Sequence, residues 1–214
     1  MKKALLILVL VAIAVLPATA NTTLVNLAYN VHNDIFGFSD LYDGLHLRSV
    51  GLSITGLNAD DFGFYGQANP YYGLSFKNVS VAKLSDYDEM LIGSNFLLGY
   101  GGDFNFGPMG LLIGGGLFLD LNYYDFGTSW FNVTAGLGLG ANVYFQPGMG
   151  NLVVNAGLTA AISPWGYWIY DGGSEDYTNW GMTTINLNVG VGWRTGGQRE
   201  RDDRSSYDDG DDDW

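Results

Sequence analysis

The chain has 214 residues, a net charge of −13 and no cysteine, and only 14% of its residues are charged, well below the roughly 25% usual in soluble domains. Without cysteine there is no disulfide framework, no thiolate metal site and no lipid-modified N-terminal cysteine. The acidic balance argues against a nucleic-acid partner, because phosphate binding needs a basic face.

Glycine is abundant, at 32 residues, and aromatics make up 15% of the chain. The mean hydropathy of +0.08 is too low for a bundle of membrane helices. Strands that alternate apolar and polar residues dilute their hydropathy in this way. Met1–Ala20 reads as a secretory signal peptide: Lys2 and Lys3, an apolar run over Ala4–Leu16, Pro17, then the small-x-small site Ala18-Thr19-Ala20. The apolar run is too short for a comfortable helical span, which needs roughly 18–20 residues. Cleavage after Ala20 is expected, and the loss of both lysines takes the net charge from −13 to −15.

Eight alternating segments follow: Thr23–His32, Leu45–Gly56, Phe62–Lys77, Glu89–Gly101, Met109–Asn122, Phe131–Phe145, Leu152–Ser163 and Met182–Arg194. The sixth shows the pattern most clearly. Phe131, Val133, Ala135, Leu137, Leu139, Ala141, Val143 and Phe145 share one parity, and Asn132, Thr134, Gly136, Gly138, Gly140, Asn142 and Tyr144 share the other. Successive side chains of a strand point to opposite faces. One face is therefore unbroken hydrocarbon and the other is small and polar, which suits a strand with lipid outside and a polar lumen inside. Its length slightly exceeds the roughly 9–11 residues a tilted strand needs to cross a bilayer. Two irregularities are expected. A bulge before Ser49 would reconcile Leu45 and Leu47 with the parity of Val50, and Pro70 should bulge or break the third segment.

The connections alternate in length. Asn33–Gly44, Asn78–Asp88, Tyr123–Ser129 and Pro164–Gly181 face one side. Leu57–Asp61, Gly102–Pro108 and Gln146–Asn151 face the other. Long outer loops and short periplasmic turns are the outer-membrane arrangement. Only GDFNFGP, between the fourth and fifth segments, is longer than a turn requires. Phe62, Tyr100, Phe145 and Trp193 fall at the periplasmic ends and Phe131 at an outer end, as aromatic girdles would. Thr195–Trp214, with eight acidic residues and three arginines, reads as a disordered acidic periplasmic tail.

Chemistry is sparse. Gly136-Leu-Gly-Leu-Gly140 lacks the turn into a helix that a nucleotide loop needs, and Asp208–Asp213 lacks the ordered ligand spacing of a calcium loop. His32 and His46 are the only histidines, and no spacing joins either to a nucleophile and an acid. The chain reads as non-enzymatic, with no cofactor and no metal site. Lys77, Glu89 and Asp120, with Arg48 able to join them, point into the outer lumen on these parities and form a candidate charge cluster, since buried charges must pair or be hydrated.

Asn21–Arg194 resembles the small eight-stranded outer-membrane barrels of the OmpA/OmpX/OmpW type. The resemblance rests on strand count, loop asymmetry, the signal peptide and the closing strand NLNVGVGWR, with no peptidoglycan-binding domain after the barrel. It implies an aromatic read by the outer-membrane assembly machinery near the end of the last strand, a role Trp193 fits, although a 20-residue tail follows it. The expectation is an all-β, eight-stranded antiparallel up-and-down transmembrane β-barrel in the bacterial outer membrane, with lipid and the assembly machinery as partners. Its role would be structural or adhesive, directed at a surface ligand or host protein through the last loop. Trp165, Tyr167, Trp168, Asp171, Glu175, Asp176 and Trp180 are the candidate contact residues there. The alternative is a narrow channel for small, even apolar, solutes, because Leu91, Leu97, Phe118 and Val153 dilute the polar face. A soluble ligand-binding barrel would require the inverse of the sixth segment.

Overall fold

A computed structural model describes residues 20–34, 46–58, 62–78, 82–83, 90–125, 129–170, 172–178 and 182–194. The signal segment before residue 20 and the acidic tail after 194 lie outside these. The strands are β1 (Thr22–Asp34), β2 (His46–Asn58), β3 (Phe62–Asn78), β4 (Ala82–Lys83), β5 (Met90–Phe106), β6 (Met109–Asp125), β7 (Ser129–Phe145), β8 (Leu152–Tyr170), β9 (Gly173–Thr178) and β10 (Met182–Arg194).

Eight of them close a barrel. β1, β2, β3, β5, β6, β7, β8 and β10 each pair antiparallel with the next, and β10 returns to β1. The seam between first and last strand is unbroken from Thr22↔Arg194 to Asp34↔Met182. Closure removes every edge in the wall, so all backbone groups can be satisfied inside the sheet. The short strands β4 and β9 lie off the wall, on β3 and β8 respectively.

The packing is inverted relative to a water-soluble protein. Leu27, Leu137 and Leu139 are 69%, 67% and 68% exposed on the outer face, while Asn30, Asn69 and Asn142 are fully buried in the lumen. Water would penalise both choices, whereas hydrocarbon outside favours the first and a hydrogen-bonded interior permits the second. The structure is thus an eight-stranded antiparallel transmembrane barrel. The connections at 59–61, 107–108 and 146–151 mark its turn end, and those at 35–45, 79–89, 126–128 and 171–181 its loop end.

Local chemistry explains where the strands depart from the sequence expectations. GDFNFGP is strand, not loop: β5 and β6 pair as far as Phe106↔Met109. The reversal needs only Gly107 and Pro108. Gly107 has φ 76°, the geometry of the first central position of a type II′ turn, followed by proline's fixed φ. At Pro70 the strand neither bulges nor breaks. β3 keeps its register with β5 through Pro70↔Ser94, and only the bridges between β2 and residues 69–70 are missing, as the absent N–H requires. The expected bulge in β2 is also displaced. Leu47 is buried, Arg48 exposed and Ser49 buried, so β2 alternates without interruption. The extra residue sits opposite, in β3, where Arg48↔Ser75 is followed by Ser49↔Gly73 and Leu74 is left outward.

The last loop is also largely strand. β8 runs through Pro164 to Tyr170 and turns back as β9. Its pairing with β7 shifts by one residue between Ala135 and Leu137, opposite Ser163 and Pro164. The bulge reverses the alternation: Ser163 is buried, then Trp165 is exposed and Gly166 buried. A Cβ on Gly136 would lie 1.8 Å from the Ile162 carbonyl oxygen, so only glycine lets β7 approach β8 this closely.

Candidate functional site

Buried side chains fill the lumen from the turn end to the loop end. At the turn end Arg194 Nε lies 2.9 Å from Asp103 Oδ2, with both side chains buried. Asp103 also accepts from the Tyr144 hydroxyl (2.5 Å) and the Thr22 hydroxyl (3.2 Å). The Arg194 guanidinium lies 5.9 Å from the Tyr144 ring centroid. One buried pair thus ties together β1, β5, β7 and β10.

Above it lies an apolar layer in which Leu24, Leu57, Tyr65, Leu97, Phe118 and Val153 pack as one buried cluster. Glycine makes room for it: a Cβ on Gly114 would fall 2.1 Å from the Tyr65 ring. Beside it runs a network of amides, with Gln67 directly opposite Leu97 in the β3–β5 ladder. Asn30 accepts from Asn69 (2.5 Å) and Asn186 (2.6 Å) and donates to Ser49 (3.1 Å). Asn188 donates to Asn186 (3.0 Å), and Asn26 donates to both Asn188 and Asn155. Gln67 donates to Ser53 (2.8 Å) and accepts from Thr159 (2.8 Å). Such a network fixes strand register by requiring each amide to meet its partner.

Towards the loop end, Asp120 is the centre. Its Oδ2 is 3.0 Å from His32 Nδ1, its Oδ1 accepts from the Tyr71 hydroxyl (2.6 Å), and Asn122 donates to Oδ2 (3.1 Å). The His32 ring leans on Tyr71 at 5.3 Å between centroids.

The charge cluster expected from sequence is therefore differently composed. Asp120 is in the lumen, but it is partnered by His32, Tyr71 and Asn122. Arg48 is on the outer face of β2 and does not join it, because unbroken alternation after buried Leu47 turns its side chain outward. Lys77 is placed by the ladder beside His46 and Lys83 at the loop end, and Glu89 lies outside the described residues. The sequence does not reveal the Asp103–Arg194 pair, because Asp103 lies in GDFNFGP, which reads as a turn. The signal that could have found it is parity: Asp103 shares the inward parity of Leu97 once β5 is extended.

Phe62, Tyr100, Phe145 and Trp193 are exposed on the outer face near the turn end, Phe62 and Tyr100 stacked at 6.2 Å. Phe131 is half-buried on β7, opposite Ile169. Of the last-loop residues, Trp165 is exposed and its ring stacks on that of half-buried Tyr167, 6.4 Å apart with planes 12° from parallel. The Tyr167 hydroxyl donates to Ser174 (2.7 Å), and Asp176 is exposed. Trp168 and Glu175 are backbone partners in the β8–β9 ladder, while Asp171 and Trp180 lie outside the described residues.

A closed eight-stranded wall, an apolar exterior and a packed polar lumen define the class of small outer-membrane β-barrels. No protein-family model and no curated protein matches the chain. Solved structures of that class do. Neisserial surface protein A superposes with a TM-score of 0.51 at 16% identity, covering 81% of this chain and 96% of that one. OprG from Pseudomonas aeruginosa gives a TM-score of 0.50 at 13% identity, covering 84% and 98%. Ail, the attachment invasion locus protein of Yersinia pestis, gives 0.44 at 17% identity, covering 81% and 96%. At these identities the shared property is the fold.

Proposed function

We propose that this protein is a bacterial outer-membrane barrel whose work is done at the cell surface, through the β8–β9 hairpin. The supporting observation is where the wall ends. β10 pairs with β8 only as far as Thr183↔Ile162, yet β8 continues to Tyr170 and takes β9 as its new neighbour. Short turns are periplasmic in such barrels and long connections extracellular, so this continuation rises outside the cell. It carries exposed Trp165 and Asp176, and aromatic anchors beside charge are what protein-binding surfaces use.

A conduit is the weaker reading, because the apolar cluster and the Asp103–Arg194 pair lie across the lumen. A catalytic reading has less support still. His32 and Asp120 are 2% exposed, and the Tyr71 hydroxyl beside them is engaged with Asp120 itself. Replacing residues 165–178 with a two-residue turn, in cells displaying the folded barrel, should abolish adhesion to host cells or matrix while leaving assembly intact. Unchanged adhesion would refute the proposal.

A further inference from the structure

One face of the β8–β9 hairpin sets aromatic residues against polar ones. Trp165 pairs with Thr178 and Tyr167 with Asp176, and residues directly opposite in an antiparallel ladder share a face. Ser174, Asp176 and Thr178, the β9 half of that face, are all exposed. A carboxylate flanked by two hydroxyls is too costly to lay in hydrocarbon, so this face meets water. The length of β8 agrees. Its exposed apolar residues run from Leu152 to Ile162, about the 9–11 residues of a bilayer crossing. Tyr167 lies five residues further on, about 16 Å along the strand. The face begins where the lipid-facing band ends.

Its aromatic half is ordered in advance. The Trp165 and Tyr167 rings lie 12° from parallel with centroids 6.4 Å apart, and the Tyr167 hydroxyl is held by Ser174 at 2.7 Å. Trp165 nevertheless remains 43% exposed. Aromatic faces carry negative potential and attract cations. Asp176, directly opposite Tyr167, adds a full negative charge beside them. Rings and carboxylate therefore favour the same thing, a positive group.

Nothing in this half of the chain can supply one. From Leu84 to Trp193 there is no Lys, Arg or His, against nine Asp and Glu. Asp103 and Asp120 are engaged in the lumen, by Arg194 and His32. Among the described residues no ion pair engages Asp176. A surface of one sign draws partners of the other. A neutral sugar ring could use the aromatic strip but would gain nothing from the acidic field.

We propose that this face docks an arginine-bearing segment of a partner protein, with one guanidinium over the Trp165–Tyr167 strip and bonded to Asp176. A guanidinium suits both halves, because it stacks on aromatic faces and meets a carboxylate with two parallel hydrogen bonds. The inference rests on the hairpin being the working surface and gives the chemistry of what it binds.

The test uses the purified full-length barrel in nanodiscs of phosphatidylcholine, a lipid without net charge. Two immobilised peptides are compared, identical except that each arginine of one is citrulline, its uncharged isostere, in the other. The arginine peptide should bind about tenfold more tightly, a cation–π contact and an exposed charge contact combined. Trp165→Leu keeps apolar bulk without an aromatic face, and Asp176→Asn keeps shape without charge. Each should remove about a threefold share of the preference, and the double variant should bind both peptides equally. Trp165→Phe should keep part of what Trp165→Leu loses. Heat-modifiable migration on gels verifies that each variant is folded. Equal binding of the two peptides by the unaltered barrel overturns the proposal. So does a preference undiminished in the double variant, which would put the arginine on the acidic residues after Arg194. Capture of a neutral dextran that is lost in Trp165→Leu, with no preference between the peptides, overturns it in favour of a sugar partner. These readouts are independent of adhesion: the arginine partner can fail here while replacement of residues 165–178 still abolishes adhesion, so the two failures are told apart.

Discussion

Asp103 and Arg194 show how a single buried pair can hold a barrel together. Each has left water, and their attraction offsets that desolvation only because Tyr144 and Thr22 satisfy the remaining acceptor positions. Removing one partner leaves the other charged and unmet. Asp103→Asn or Arg194→Gln should therefore lower stability by about 3–5 kcal/mol, read from urea unfolding in lipid vesicles. Replacing both residues together with apolar side chains of similar volume should recover most of that loss. Tyr144→Phe removes one hydrogen bond to a charged group and should cost about 1.5–3 kcal/mol. Asp120 is connected differently, to an imidazole, a phenol and an amide. Asp120→Ala removes the acceptor these groups share and should cost about 1–3 kcal/mol, measured in the same way.

At the scale of the strand, period-two alternation made the architecture legible, because lipid and lumen demand opposite side chains at every step. The eight segments, their count and, apart from the start of β2 around Arg48, their inward and outward faces could be read. What alternation could not show is where strands outlast the membrane. Phe104 and Phe106 keep the outward parity, and only Gly107-Pro108 is needed to reverse the chain, yet GDFNFGP reads as a loop because Gly, Asp, Asn and Pro, which favour turns, make up most of it. Pro164 likewise looks like a strand terminator. It instead accompanies a bulge, and the reversal of faces after it conceals β8 from any search for unbroken alternation. The partners of Asp120 were illegible for a related reason: parity shows that a residue faces inward, not which strand it meets across the lumen. Gly136 carries a sharp consequence. Gly136→Ala forces a methyl into the Ile162 carbonyl and should cost about 1–3 kcal/mol as overpacking. Gly148→Ala, at a positive-φ position with nothing within 4 Å of the added carbon, should cost about 1 kcal/mol from backbone conformation alone. Urea midpoints of the two variants would separate the causes.

For the molecule as a whole, the filled lumen sets an expectation about transport. Planar bilayers containing the folded protein should show no steady conductance, since buried side chains, the apolar cluster around Tyr65 and Phe118 among them, fill the lumen. Phe118→Ala should cost about 3–5 kcal/mol as a large-to-small core change. It should still not conduct, because the ion pair below it remains. A steady single-channel current in the unaltered protein would revive the conduit reading.

The seam between β1 and β10 has a consequence in time. Residues near the start of the barrel have as partners residues some 170 positions later, as in Thr22↔Arg194. They therefore cannot be satisfied until the whole barrel sequence has been made, and the entropy of closing so long a loop comes due in one late step. Until then β1 is an open edge able to pair with a stranger. Asp103 accepts from Thr22 and Arg194, on the two strands that meet last, so its full set of bonds exists only in a finished barrel. The same carboxylate that stabilises the product thereby distinguishes a completed chain from an interrupted one.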